Sequence, residues 1–505
     1  MSLSLPSSAA SVAALLLATA LAGCAVGPDF ETPKADPAAG YLPGASAVAG
    51  ATAPVGGARL VYGADIPGRW WELFRNRTLN DLIKAALANN PDLEAARAAL
   101  RKANEAAASD QASLFPTVSA SGTATRADNT GALATNVGPY TLYTGQIGAS
   151  WDVDLWGAKR RTAEASRAAA EAQAFTAEAT YLTLTTDLTN AVITEASTRA
   201  QIAATEDIVK ALEELLGVLD TKANVGSASR ASVLQQRATL AQARATLPGL
   251  KKTLAQTRNR IAAYAGEFPS SYRGGAFTLG SLTLPHKLPL TLPAELIRQR
   301  PDIRAAEAQL HQASALVGVA IAARLPSLSL SAALPTSTTD IAKLLNSSAT
   351  GWSLAASASQ TLFDAGKLQH QQKQYEAALD QALANYRSVV IAAYRDVANA
   401  LRAIQHDAEA VAAYRAAEDA ARESLELSRT QFKAGTGSYT DVLNAQQTYQ
   451  NARISSVQAQ AQRYTDAVTL FSVLGGGWWN RPDNLARLAT VTTPEGGAAS
   501  APATP

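Results

Sequence analysis

Chemistry at a protein site needs a nucleophile, a paired acid and base, or a set of metal ligands, and this chain offers few of them. Its one cysteine, Cys24, rules out an intrachain disulfide. The four histidines (His286, His311, His370 and His406) stand far apart, without the spacing of a metal site. Ser and Asp are plentiful, yet there is no Gly-x-Ser-x-Gly elbow, no phosphate-binding glycine loop and no metal-spaced cluster. The sequence therefore reads as no enzyme, with no metal and no diffusible cofactor. Lys+Arg 44 against Asp+Glu 42 leaves a net charge of +2, which gives no electrostatic reason to expect nucleic acid. Charged residues are 17% of the chain, below the roughly 25% of ordinary soluble proteins. Small residues, alanine above all, fill the difference.

The reactive candidate is the Cys24 thiol. Ala9 to Ala22 is an apolar, small-residue stretch ending at Leu21-Ala22-Gly23-Cys24, too short for a membrane-spanning helix and of the size of a secretory h-region. The string resembles a bacterial lipobox, in which the thiol receives a diacylglyceryl group and cleavage exposes an amine for N-acylation. Residues 1–23 are read as a signal peptide and Cys24 as a lipidated mature N-terminus. Ala25 in place of an Asp at the next position implies outer-membrane sorting. Met1 to Leu21 holds no Lys or Arg, a departure from the usual positive n-region that leaves the true start codon open. No later stretch reaches the ~18 apolar residues of a transmembrane helix.

The elements beyond it are written twice. Pro91–Ser121 aligns with Pro301–Ser331 without a gap: Pro91/Pro301, Asp92/Asp302, Leu100/Leu310, Pro116/Pro326, Ser119/Ser329 and Ser121/Ser331 are identical, besides several alanines. Gly157 corresponds to Gly366, Lys222-Ala223 to Lys433-Ala434, Gly226-Ser227 to Gly437-Ser438, and Val233-Leu234 to Val442-Leu443. The period is far too long for a solenoid, so this is a duplicated domain. The expected organisation is an extended arm over 24–69, a first repeat over 70–285, a second over 286–479 and a flexible tail over 480–505.

Each repeat opens with a helix (Pro91-Asp92; Pro301-Asp302) that stops near Phe115-Pro116 or Leu325-Pro326. Strands are expected at about 117–126 and 143–155, and at about 326–334 and 351–363. Along them Val118, Ala120, Ile147, Ala149, Trp151, Leu328, Leu330 and Leu354 alternate with Ser119, Ser121, Gln146, Ser150, Ser329, Ser331 and Ser353. One apolar and one polar face over about ten residues is the pattern of a transmembrane β-strand. Trp156 and Trp352, near strand ends, suit membrane-interface aromatics; Trp70-Trp71 and Trp478-Trp479 suit a collar packed around the helices. Runs free of Gly and Pro follow, Ala158 to Leu216 and Lys367 to Ala434, which as helices would reach about 90 and 100 Å. In the second, Leu383, Val390, Val397, Ile404 and Val411 recur every seven residues with Tyr386, Ala393 and Ala400 between them, until Asp407 interrupts the seam. Tips are expected at 224–229 and 435–440. Shorter returning helices follow, Arg230 to Leu247 before a Pro248-Gly249 break, and Tyr439 to Leu474.

Four strands cannot close a barrel in lipid, and closed outer-membrane barrels begin at about eight. The chain must therefore oligomerise, and the pattern alone permits a dimer or a trimer. The polar strand face would line a water-filled lumen that the long helices continue through the periplasm.

At this point the residues resemble a known family, the RND-associated outer-membrane efflux lipoproteins of the NodT type within the TolC superfamily. The resemblance rests on Cys24-Ala25-Val26-Gly27-Pro28-Asp29-Phe30, on Leu292 to Ile303 with its Arg300-Pro301-Asp302, on Leu362-Phe363-Asp364-Ala365-Gly366, and on Leu474-Gly475-Gly476-Gly477-Trp478. Two departures stand out: Arg75-Asn76-Arg77 where an Asp-Pro is common, and Ala365-Gly366 where the family has two glycines. The resemblance implies an α+β membrane protein: a homotrimeric, twelve-stranded β-barrel continued by a periplasmic α-helical coiled-coil barrel, lipid-anchored in the outer membrane. It implies the exit duct of a tripartite efflux system for small molecules, docked to a periplasmic adaptor and an inner-membrane RND pump; the alternative is the duct of a type I protein secretion system. Carried over by position, the adaptor-contacting tips are Val225, Gly226 and Ser227, and Gly435, Thr436, Gly437 and Ser438. The periplasmic gate falls on Asp441 and Asn444, with Ser232 as the first-half counterpart of the acid. Three Asp441 carboxylates would form a cation-attracting ring, unless the acid serves only its own helix start.

Overall fold

The computed structural model describes residues 25–33, 40–42, 52–55, 58–128, 138–344 and 350–486. Cys24, the segment 1–23 and residues 487–505 lie outside the described residues. The N-terminal arm contributes β1 (Thr52–Val55) and β2 (Ala58–Tyr62), and a 3-10 turn at Trp70–Phe74 opens the first repeat. That repeat runs α1 (Arg77–Asn89), α2 (Pro91–Ala112), β3 (Thr117–Ala127), β4 (Tyr140–Val153), α3 (Ala158–Asn224) and α4 (Arg230–Tyr264). The strand β5 (Lys287–Leu290) pairs parallel with β2 and leads into the second repeat. Its order is α5 (Pro293–Gln299), α6 (Pro301–Ala322), β6 (Ser327–Thr338), β7 (Ser353–Ser359), α7 (Lys367–Ala434) and α8 (Tyr439–Val473).

The duplication is thus a structural one. β3, β4, β6 and β7 form one antiparallel sheet in that order, with β3 and β7 at open edges. From one end of the sheet depart α3 and α7, of 67 and 68 residues, each about 100 Å long. α3 packs against α2, α4, α6 and α8, whereas α7 lies beside α6 and α8. The main core sits where these helices pass the Trp70–Phe74 turn and the α1 layer. Trp70, Phe74, Phe277 and Phe471 are fully buried there, and Trp70 stacks on Phe471 with ring centroids 5.6 Å apart. That is the collar expected of Trp70-Trp71. The heptad seam of α7 is buried at Tyr386, Ala393, Val397, Ala400, Ile404 and Val411.

Some expectations need correction. The helix expected to break at Pro248-Gly249 continues through both to Tyr264. Pro248 removes one backbone bond, but its ring lies on the exposed side of α4, where water replaces the partner. Val233, Leu240 and Ala243 before it and Thr257 and Ile261 after it are buried, while residues 244–256 between them are exposed or half-buried. By contrast α3 runs on from the Gly- and Pro-free stretch through Gly217 to Asn224, where the tip is expected. In the second hairpin β6 extends to Thr338, while β7 stops at Ser359, because Asp364 already turns the chain into α7.

Candidate functional site

The register of the large sheet decides which side chains share a face. Val118 pairs with Ala149, Ala149 with Ala332 and Ala332 with Leu354, while Ile147 pairs with Leu334 and Trp151 with Leu330. Every one of these lies on one face. Ser119, Gly148, Ser150, Asp152, Ser329, Ser331, Ser357 and Ser359 lie on the other. The apolar face is uncovered: Val118 is 73% exposed and Leu354 74%. A band this wide and this apolar is a lipid or protein contact surface. The four strands of this sheet carry two charges, Arg126 at the far end of the apolar face and Asp152 on the polar face, 3.4 Å from Lys159 Nζ.

The two tryptophans singled out from the sequence flank this band. Trp156 follows the helix-side end of β4 and donates Nε1 to the Pro326 carbonyl at 2.8 Å. Trp352 precedes β7 at the opposite end and is 76% exposed. From the level of Ile147, beside Trp352, to the end of β4 at Val153 the chain climbs about 20 Å along the strand direction, and it turns before Trp156 is reached.

At the sheet-to-helix junction each long helix starts on an aspartate. Asp154 accepts the backbone N–H groups of Lys159 (3.1 Å) and Arg160 (3.0 Å); Asp364 accepts those of Leu368 (2.9 Å) and Gly366 (2.8 Å). The Leu368 N–H, with its neighbours, holds the Asp364 carboxyl below the usual range. Ala365 takes a φ of 55°, so the residue replacing a glycine of the related motif is held in left-handed backbone. The first described residues dock at the same level. Ala25 lies so close to Gly157 that a Cβ there would come within 2.6 Å of the alanine's own. The Val26 N–H reaches the Trp156 carbonyl at 3.0 Å, and the nearly buried Arg161 binds Asp29 at 2.6 Å and Glu164 at 2.8 Å. Phe30 stacks on His311, which bonds Glu164 at 2.8 Å.

The motifs around Arg300 and Gly475 are distant in sequence and meet in the collar. Arg300 holds Asp302 through two nitrogens (3.0 and 2.6 Å) and donates to the Val473 carbonyl at 3.1 Å. Trp478 Nε1 donates to the Gln299 carbonyl at 2.6 Å. Gly475, Gly476 and Gly477 all have positive φ, and a Cβ on Gly475 would stand 2.6 Å from the Gln299 oxygen. At Arg75-Asn76-Arg77, Asn76 performs the capping expected of an Asp. Its oxygen accepts the Leu79 N–H at 2.9 Å and its amide donates to the Ser281 carbonyl.

At the far ends the tips are tight turns. Gly226 (φ 78°) donates its N–H to the Ala223 carbonyl and Ser227 folds back on the Lys222 carbonyl, and Val225 is 74% exposed at the apex. In the second tip Gly435 (φ 82°) closes α7, and Thr436 and Gly437 donate their N–H groups to the Gln431 carbonyl at 3.0 and 3.1 Å. Ser438 and Asp441 form a reciprocal cap: Asp441 N–H to Ser438 Oγ at 3.1 Å, Ser438 N–H to Asp441 Oδ2 at 3.2 Å. In one protomer the carboxylate therefore serves its helix start and remains exposed. Asn444, one turn on, is exposed too, whereas Ser232, the first-half counterpart, is half-buried.

Residues that sequence reasoning did not select bind the two tips together. Lys222 Nζ donates to the Phe432 carbonyl at 2.8 Å and lies 4.2 Å from the centroid of its ring. Tyr439 donates its hydroxyl to Gln236 Oε1 at 2.8 Å, and the buried Gln236 amide donates to the Leu212 carbonyl. Leu215, Leu219, Val233, Leu425, Phe432 and Val442 form a separate small core beneath them. The repeat alignment had placed lysines at matching positions, Lys222 and Lys433, but nothing in it showed that one would reach the other hairpin.

Comparison with known proteins agrees with this geometry. The family model described as outer membrane efflux protein matches residues 82–267 and 292–476, one match per repeat. The probable efflux pump outer membrane protein TtgC of Pseudomonas putida is 27% identical over 479 residues, covering 94% of this chain and 97% of its own. The cation efflux system protein CusC of Escherichia coli is 25% identical over 467 residues, covering 92% and 97%. The solved structure of the outer-membrane channel OprN superposes with a TM-score of 0.81 at 27% identity, over 90% of this chain and all of that one.

Proposed function

As a member of the outer membrane efflux protein family, this chain is the outer-membrane channel of an efflux pump, and we propose that it works as a homotrimeric, lipid-anchored exit duct of a tripartite RND-type system. The observation that carries the reading is the sheet with one apolar face and two open edges, continued by two ~100 Å helices. Unpaired strand edges cannot remain in lipid, so β7 of one copy must meet β3 of the next in a head-to-tail ring. Three copies give twelve strands, with the serine-rich faces inward and Trp156 and Trp352 at the two membrane interfaces.

The lipid anchor fits the same frame. Ala25 is fixed against Gly157 beside Trp156, so acyl chains on Cys24 would enter the bilayer at the inner rim of the apolar band. The tips, Val225-Gly226-Ser227 and Gly435-Thr436-Gly437-Ser438, would meet a periplasmic adaptor at the far end, and Asp441 with Asn444 would ring the mouth. The polar strand face is mostly Ser, Thr, Gly and Ala, which suits a nonselective pipe for small molecules whose choice lies in the pump.

The deciding experiment is a single cysteine at Ser438, bearing a photo-crosslinker, in intact cells. Capture of an RND-type adaptor supports the reading; capture of an ABC-type adaptor moves it to protein secretion, and no periplasmic partner rejects the docking role.

A further inference from the structure

The α7 seam places Tyr386, Ala393 and Ala400 seven residues apart, all buried, and the next position in that register is Asp407. The side chain is half-buried and its Oδ2 is shut off from solvent. The Glu418–Arg453 ion pair fixes the register of α7 against α8, and in that register Asp466 of α8 stands level with Asp407, half-buried, its Oδ2 taking the Gln462 amide at 3.0 Å. Two carboxyls from different helices thus come within hydrogen-bonding reach of each other along a partly buried seam. With both ionised, the Asp407 oxygen has no donor to accept from; one proton on the pair supplies it and turns repulsion into a hydrogen bond across the hairpin. Burial first, and then Asp466, push the Asp407 carboxyl up to about 7. The cations facing it, Arg463 from α8 and His406 from α7 itself, oppose the shift without cancelling it.

We propose that Asp407 and Asp466 form a proton-operated clasp that holds α7 against α8 in acid and loosens that hairpin in alkali. The clasp is complete within one chain and does not depend on the oligomer or the partners. Its stabilisation is fully present below the ordinary aspartate value of about 4 and is lost as the pH rises through about 7.

The test uses the purified full-length protein in detergent. Apparent unfolding midpoints at one scan rate are measured between about pH 5 and about pH 8.5, together with an infrared titration of the protonated-carboxyl C=O band. The wild type should lose the band, and several degrees of midpoint, as the pH passes through about 7. Asp407→Asn and Asp466→Asn should each lack the band, flatten the fall and raise the alkaline midpoint. An unchanged fall in both variants, a wild type without the band, or variants weakened equally at both ends of the range would overturn the clasp.

Discussion

The two long hairpins come from one repeated unit and occupy different situations. Buried residues follow each other along nearly all of α3, from Arg161 to Leu219, because other helices surround it. On α7 they are confined to a narrow stripe that meets α6 and α8, and Ile391, Tyr414 and Leu427 are left exposed. The starts of the preceding helices differ as well. Asn90 caps α2 with its own side chain, whereas Arg300 at the same place ties down Asp302 and the Val473 carbonyl. Duplication thus supplied two copies of an element, and position in the protomer made one an interior support and the other an edge. A uniform helical wall would carry function equally along both; this one concentrates its unsatisfied surface at α7, the open strands and the tips.

The sharpest way to break the contrast between covered and uncovered surface is on the sheet. Leu354→Arg, on the apolar face, should cost about 2–4 kcal/mol if that face meets lipid. The barrel, read as a heat-resistant oligomer on gels, should be lost, while Ser331→Arg on the opposite face should leave it intact. Equal behaviour would mean that both faces meet water.

Collar and tip glycines provide the next contrast. Gly475→Ala drives a Cβ into the Gln299 carbonyl and adds left-handed strain, together about 3 kcal/mol. Gly226→Ala meets open space and bears only the strain, about 1 kcal/mol. Their thermal midpoints should differ accordingly.

Between the tips, Lys222→Met removes the Phe432 carbonyl bond and the cation–π contact, and Tyr439→Phe removes the Gln236 bond. Each should loosen the joined tips by about 1 kcal/mol, seen as larger conductance or more frequent opening in single-channel recordings. An unchanged channel would mean that the tips move as separate hairpins.

Asp441→Asn separates the acid's two roles. It keeps much of the cap, so stability should fall by less than about 1 kcal/mol, while a carboxylate ring at the mouth predicts weaker cation selectivity. The smallest effect is at Ala365→Gly, which should raise stability by about 1 kcal/mol by releasing the positive φ.

Periodicity made the repeats, the strand faces and the long helices legible, because burial on one side forces apolar residues to recur at the period of the element. Local chemistry marked the turns: Gly226 and Gly435 take the left-handed backbone for which glycine is suited. Pro248 misled for the same reason, since its local penalty falls on an exposed stretch of α4 whose ends, Val233 to Ala243 and Thr257 to Ile261, are packed. What no periodicity encodes is which distant residues share a place. Arg300 with Val473, Ala25 with Gly157, Lys222 with Phe432 and Asp407 with Asp466 meet only because the helices cross at particular levels. The sequence by itself determined that the chain folds as a two-faced sheet with two very long hairpins, because those patterns are local and repeated. The tertiary structure alone decided which hairpin is enclosed, which edge is left for a neighbour, and how the tips are joined, because those follow from the order in which whole elements pack.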